Sequence, residues 1–240
     1  MSNESQPSPT TAPRRAVVTG SSSGIGRAIA GHLLDQGWQV TGLDIAAPSW
    51  EHGAFEPVAV DLSSRSSIAQ AAAQCQRVDA LIHAAGVLRV GALGQLDAAA
   101  GELMWRLHVE AATGLADALV PAMAARGHGR VVFIGSRVAQ GMPGRGQYAA
   151  TKAALIALAR SWAAEVAAQG VTVNVVSPAA TQTSMLQDPA RAGSAPRLPP
   201  LGRLIQPEEI AGLVSYLLSP AAAAITGQDI AICGGASLPR

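Results

Sequence analysis

Residues 17–30, VVTGSSSGIGRAIA, read as the end of a strand, a turn with glycines at 20, 24 and 26, and an amphipathic helix running to about residue 36. Glycine permits the tight turn and lets a ligand approach the backbone, while the first turn of the following helix presents unpaired amides at the positive end of its dipole. That combination suits a pyrophosphate. Ser22 and Ser23 are placed to cap the helix, so Gly20, Ser22, Ser23, Gly24, Ile25 and Gly26 are candidate dinucleotide contacts. The spacing is GxxxGxG rather than GxGxxG, so the weight falls on context. The next strand-like run, VTGLD, ends at Asp44 with Ile45 beside it, 18 residues beyond Gly26. A carboxylate there can accept both hydroxyls of an adenosine ribose and would repel a 2′-phosphate, which favours NAD over NADP. The alternative is an ordinary turn aspartate.

Working outward, short apolar runs alternate with helical ones: AVVTG, QVTGLD, EPVAV, DALIHAAG, RVVFIGS, VTVNVVS and DIAICGG. They are rich in Val and Ile on both faces, as strands covered on both sides must be. With right-handed crossovers this alternation predicts an α/β, doubly wound parallel sheet of about seven strands in a single domain over residues 14–240. Residues 1–13, rich in Ser, Pro and Thr, read as a disordered tail. Residues 187–207, QDPARAGSAPRLPPLGRLIQP, are too rich in proline and glycine for a long helix and read as a substrate loop.

Composition narrows the function class. The chain has 240 residues, 49% hydrophobic and 14% charged with a net charge of +1, enough apolar material for one large core. It lacks the basic runs and interleaved aromatics of a nucleic-acid surface. No apolar run reaches the roughly 18 residues of a membrane span, so a protein working in solution is expected. Cys75 and Cys233 stand far apart with no metal-binding spacing, which fits free thiols in a reducing cytoplasm and no metal centre.

In GQYAATKAALIALARSWAAEV, residues 146–166, Tyr148 and Lys152 lie one helical turn apart on a stripe with Leu155, Trp162 and Val166. That is the stripe a helix turns toward its core. An inward ammonium is costly without a partner, so the pair calls for a task. A free tyrosine has a pKa of about 10, and serving as a base near neutrality requires a shift worth about 3 to 4 kcal/mol, which a nearby ammonium can supply. Opposite this stripe lie Ala150, Ala153, Ala157, Ala164 and Ala168, where charged residues would be expected on a solvent face. Small residues there permit close approach of another helix and predict a homo-oligomer, a dimer or tetramer.

Taken in order, TGSSSGIG, VDL at 60–62, AAG at 84–86, Ser136, YAATK at 148–152, NVVSPAATQT at 174–183, GRLIQPEEIA at 202–211 and ITGQDIAICGG at 225–235 resemble the classical short-chain dehydrogenase/reductase family. The resemblance implies a Rossmann-type domain, a nicotinamide cofactor and a catalytic set of Ser136, Tyr148 and Lys152. It also places Asp61 and Leu62 beside the adenine, Ala84, Ala85 and Gly86 beside the ribose, and Pro178, Ala179, Thr181 and Thr183 on the nicotinamide side. Lys152 would hold the nicotinamide ribose, Tyr148 would exchange the alcohol proton, and Ser136 would steady the substrate oxygen. A small alcohol or ketone substrate follows. AAGVLRVGAL and the ending ITGQDIAICGGASL resemble the dihydrodiol-type members, which oxidise a cyclic dihydrodiol to a catechol. A 3-oxoacyl-thioester reductase is the chemical rival, disfavoured by Asp44 because biosynthetic reduction usually draws on NADPH. A non-catalytic NAD-binding sensor is the rival from another class. Arg191, Arg197 and Arg203 in the loop could meet a carboxylate or simply face solvent.

Three positions depart from the family pattern. The usual NNAG is HAAG, with His83 and Ala84 replacing two asparagines; PG becomes Pro178-Ala179; and the asparagine of the helix before the fifth strand is replaced by His108. In the family that asparagine stabilises a local break in the helix, and its main-chain carbonyl holds a water of the proton relay. His108 could preserve the relay through its backbone, carry the proton on its imidazole, or simply pack.

Overall fold

Alternate residues of the central strands enter different cores. Val17, Leu81, Val131, Phe133 and Val175 pack on one face of the sheet, while Val18, Ile82, Val132, Ile134 and Val176 pack on the other. Both sets are apolar because both faces are covered by helices, so the strands lack the polar alternation of a half-exposed sheet. The computed structural model describes residues 12–238 except 49, 76 and 188–196.

Seven parallel strands form one sheet in the order β3-β2-β1-β4-β5-β6-β7. They are β1 (Arg15–Thr19), β2 (Gln39–Asp44), β3 (Phe55–Ala59), β4 (Ala80–His83), β5 (Gly129–Ile134), β6 (Val171–Pro178) and β7 (Asp229–Ile232). Helices α1 (Gly24–Asp35) and α6 (Pro207–Leu218) cover one face. Helices α2 (Arg65–Gln74), α4 (Ala111–Ala125) and α5 (Gly146–Val166) cover the other. The α3 helix (Ala98–Trp105) runs into a π-helical segment, Arg106–Glu110, and then into α4. The expected doubly wound sheet is therefore present, in a single Rossmann-like domain.

Strand order reverses between β1 and β4, and a ligand crevice in such sheets lies outside the carboxyl ends at that point. The register pairs Thr19 with His83 there. On α5 the fully buried line is Lys152, Leu155, Ala159 and Ala163, while Tyr148 is half-buried. Trp162 and Val166, expected on the same stripe, lie at its half-buried edge, because a period of 3.6 carries the buried line to Ala159 and Ala163. Ala150, Ala153, Ala157, Ala164 and Ala168 are all exposed.

Of the 187–207 loop, residues 188–196 with Arg191 lie outside the described residues, as do residues 1–11 of the N-terminal segment. The described part has no long helix. Arg203 grips Glu209 with two hydrogen bonds of 2.7 and 2.9 Å, and Glu209 joins Gln206 in the capping box that starts α6.

Candidate functional site

A cleft of about 1040 Å³ opens along the carboxyl ends of the strands. Its wall includes Gly20, Ser23, Gly24, Ile25 and Gly26 from the first turn, then Asp44 and Ile45 after β2 and Asp61 and Leu62 after β3. Ala84, Ala85 and Gly86 follow β4, Ser136 follows β5, and Pro178, Ala179, Thr181 and Thr183 follow β6. Tyr148, Lys152 and His108 complete it from the helices. Among the residues singled out in the sequence, Ser22 is not on this wall.

The glycine turn is set by packing. A Cβ on Gly26 would lie 2.1 Å from the Gly20 carbonyl oxygen, so only glycine lets α1 begin this close to the strand. The anticipated serine cap is not formed. Ser23 sits at the N-cap with extended backbone, yet its side chain makes no cap hydrogen bond. Ser22 is drawn away because its amide donates to Asp44 Oδ2 (2.9 Å) and its hydroxyl donates to the Ala46 carbonyl (2.7 Å). The Asp44 carboxylate takes the Ala46 amide on its other oxygen (3.0 Å). Ser22 thus fixes Asp44 instead of capping the helix. Asp61 is held by the Ser63 amide and hydroxyl, which keep its pKa below the usual carboxylate range.

These features fit a nicotinamide dinucleotide: an elongated cleft, a helix N-terminus with no side-chain cap, and a carboxylate held at the cleft wall by two amides. Among the described residues the wall carries two carboxylates, Asp44 and Asp61, and four cationic side chains, Arg137, Arg145, Lys152 and Arg197. The cations are remote in sequence from both acids.

At the catalytic end, Lys152 is 5% exposed and its Nζ donates to the Ile134 carbonyl (2.8 Å). Burial pushes its pKa down to about 7. Nζ lies 5.8 Å from the centre of the Tyr148 ring. Ser136 is buried at the end of β5, where its Oγ accepts the Val138 amide (3.2 Å).

Two fully buried histidines organise the space behind Tyr148. His83 Nε2 donates to the Leu107 carbonyl (3.1 Å), which leaves Nδ1 to accept the Thr19 hydroxyl hydrogen (3.0 Å). Thr19 Oγ1 in turn accepts the amides of Ala84 and Ala85, both at 3.0 Å. The interstrand tie lost with an asparagine at 84 is therefore made by Thr19, and His83 reaches across to hold the π-helical segment. His108 lies inside that segment. Its Nε2 accepts the Val87 amide (3.1 Å), and its Nδ1 donates to Thr151 Oγ1 (2.8 Å), whose own hydrogen goes to the Tyr148 carbonyl (2.8 Å). The imidazole meets the Tyr148 ring edge-on, 5.5 Å between centres.

Both ring nitrogens of His108 are thus engaged. Burial, with the Lys152 charge nearby, holds its pKa well below that of a free histidine, and burial pushes His83 down to about 3. The break in the helix is present as the π-helical turn, and the imidazole is held inside it through both nitrogens. Gly86 leaves room for the ring, since a Cβ there would lie 2.6 Å from His108 Nε2. Thr19 and Thr151 were not foreseen as site residues, because their roles depend on residues 64 and 43 positions away.

The comparisons with known proteins agree with this geometry. The family model described as Enoyl-(Acyl carrier protein) reductase matches residues 20–237. The chain is 36% identical over 234 residues to 3-oxoacyl-(acyl-carrier-protein) reductase FabG of Escherichia coli (strain K12). It is 35% identical over 238 residues to 2,3-dihydro-2,3-dihydroxybenzoate dehydrogenase of the same strain. Each alignment covers 92% of this chain and 96% of the relative. A solved structure titled short chain dehydrogenase/reductase family protein superposes with a TM-score of 0.86 at 38% identity, covering 92% of this chain and 96% of that one. The ordered motifs, the sheet and these likenesses together establish that the chain belongs to the short-chain dehydrogenase/reductase family of oxidoreductases.

Proposed function

We propose that the protein is an NAD-dependent dehydrogenase that oxidises a secondary alcohol, with cyclic alcohols and dihydrodiols as the favoured class, to the ketone or catechol. The observation that carries this reading is the joint presence of Tyr148, Lys152 and Ser136 in one cleft with the glycine turn and Asp44. The glycine turn, Asp44 and Lys152 would hold the nicotinamide cofactor, which when bound would supply the acceptor for the hydride of the carbinol carbon. Tyr148 takes the hydroxyl proton at its phenolic oxygen as the C=O bond forms, and returns it in the reverse direction. A unit charge about 6 Å away at an effective dielectric near 20 favours a phenolate by on the order of 3 kcal/mol, or about two pKa units. Lys152 supplies that charge, and a phenolate beside it favours the ammonium in return. Ser136 orients the substrate oxygen.

His108 acts as a positioning residue: through Thr151 it fixes the main chain of Tyr148, and the relay to solvent runs through backbone groups of the π-helical segment. NAD is favoured over NADP because the carboxylate of Asp44 stands at the ribose position and no cationic lining residue is adjacent to it in sequence. The outer alanine face of α5 supports assembly into a dimer or tetramer, and sedimentation as a monomer at micromolar concentration would exclude it. The free thiols of Cys75 and Cys233 suit a reducing cytoplasm.

Purified protein supplied with NAD and a panel of cyclic diols and secondary alcohols should produce NADH absorbance. Tight NAD binding without turnover of any member would overturn the dehydrogenase reading in favour of a sensor. The identity to a 3-oxoacyl reductase supports a second reading, reduction of an oxoacyl thioester. Faster turnover of acetoacetyl thioester with NADPH than of any alcohol with NAD would select it.

A further inference from the structure

The cationic side chains of the cleft are not all used by the mechanism above. Arg137 directly follows Ser136, is half-buried, and lines the cleft. Arg197 lines it from the described end of the substrate loop. Neither side chain has a hydrogen bond or ion pair among the described residues, in contrast to the arginines away from the cleft: Arg65 is paired with Glu110, Arg106 with Glu102 and Arg203 with Glu209. Arg145, three residues before Tyr148, adds a third guanidinium to the wall. The lining carboxylates among the described residues, Asp44 and Asp61, belong to the strand ends that would receive the adenosine. Apolar side chains on the same wall include Leu88, Val138, Met142 and Leu186.

A half-buried arginine without a partner among the described residues, next in sequence to the residue that orients the substrate oxygen, is a receiver for an external anion, and its planar fork matches a carboxylate. We infer that the substrate is an organic acid: an apolar ring or chain that presents its carbinol to Tyr148 and Ser136 and its carboxylate to Arg137, with Arg197 on the same wall. The inference rests on the dehydrogenase reading and narrows its substrate class. It also explains why Arg137 and Arg197 line one cleft with no carboxylate partner among the described residues: the substrate brings the countercharge.

The test compares 3-hydroxycyclohexanecarboxylate with its neutral amide as substrates of the full-length enzyme with NAD, together with calorimetric binding of benzoate and benzamide to the NAD-loaded enzyme. The acid should exceed the amide in kcat/KM by at least about tenfold, carried mainly by KM. Arg137→Gln should remove most of that preference and Arg197→Gln should reduce it. Arg203→Gln, whose guanidinium is paired outside the cleft, should retain it. NAD affinity should stay within about threefold in Arg137→Gln, since a larger loss would mean the guanidinium serves the cofactor phosphates. Equal turnover of acid and amide, or equal loss of both in Arg137→Gln, would overturn the inference while leaving the dehydrogenase standing. If neither compound is oxidised, benzoate binding in preference to benzamide, lost in Arg137→Gln, upholds the anion site and counts against the dehydrogenase. Absence of that preference overturns the anion site as well.

Discussion

The two ends of the cleft are built by different means. The end formed by residues 20–26, Asp44 and Asp61 consists of backbone turns and carboxylates held by the amides of adjoining turns, Asp44 by Ser22 and Ala46 and Asp61 by Ser63, and it presents amides and negative charge. The end around Tyr148 consists of side chains brought from three separate elements: a lysine and a threonine on α5, the lysine tied to β5, and histidines from β4 and the π-helical segment. It presents positive charge. The first end recognises a constant ligand part by local geometry; the second has to position reacting atoms, and does so through a network in which each hydrogen bond has one allowed direction.

The comparison breaks most sharply at Tyr148. Tyr148→Phe should lower kcat by at least about 10³ with NAD binding unchanged, because the proton route is lost while the cofactor's contacts remain. Lys152→Ala should lower kcat and also weaken NAD. Substantial activity in Tyr148→Phe, measured by NADH formation, would remove the proposed mechanism.

At the opposite end, NAD should bind about 100-fold more tightly than NADP, and Asp44→Ser should bring the two within about tenfold. Titration of both cofactors by fluorescence quenching checks this. Equal affinities in the parent protein would show that Asp44 serves only the Ser22–Ala46 turn.

A smaller effect sharpens the role of the histidine network. His108→Asn should stay within about tenfold of the parent rate with its alkaline limb unmoved, whereas His108→Ala, which orphans the Val87 amide and frees Thr151, should lose more. A loss of 10² or more in both variants, with disappearance of an acid limb, would show that the imidazole relays the proton.

The smallest effect is thermodynamic. The folded-state pKa of His83 and of His108 lies below the unfolded value, so the unfolded chain binds protons that the native one refuses as pH falls below about 6.5, and stability declines there by on the order of 1 kcal/mol per pH unit for each histidine. Lys152, lowered to about 7, acts in the same direction in another window: stability rises between about pH 7 and 10 as the buried group sheds its proton. Denaturant melts of the cofactor-free protein should show both slopes. Replacing His83 and His108 by asparagine should flatten the acidic one, and an unchanged slope would mean that other groups control it.

The same division explains what could be read in advance. Thr19 to Gly26 and Asp44 form a local pattern in which strand, turn and helix follow one another, and the apolar runs announced the central strands because these are covered on both faces; the edge strands β3 and β7 are only partly buried. The inward position of Lys152 followed from helical period alone. The roles of Thr19 and Thr151 could not be read this way, since a threonine gains its meaning only from the histidine that the fold sets beside it. Ser22 misled for a related reason: a serine before a helix suggests a cap, but the carboxylate across the turn competes for its amide. Arg137 and Arg197 carry no pattern in sequence, and only the shared wall brings them together.

The π-helical segment has a consequence for chain-length variation. A π turn accommodates one more residue than an α turn of similar rise. Deleting one residue within 106–110 would let the chain run as α-helix from residue 98 into α4. The flanking helices would keep their alignment, but the wide turn in which Leu107 accepts from His83 and His108 meets Val87 and Thr151 would be lost. Such a deletion would be tolerated by the helix and refused by the catalytic centre, so among variants that differ in length this short segment should keep its count even where the loops around it do not.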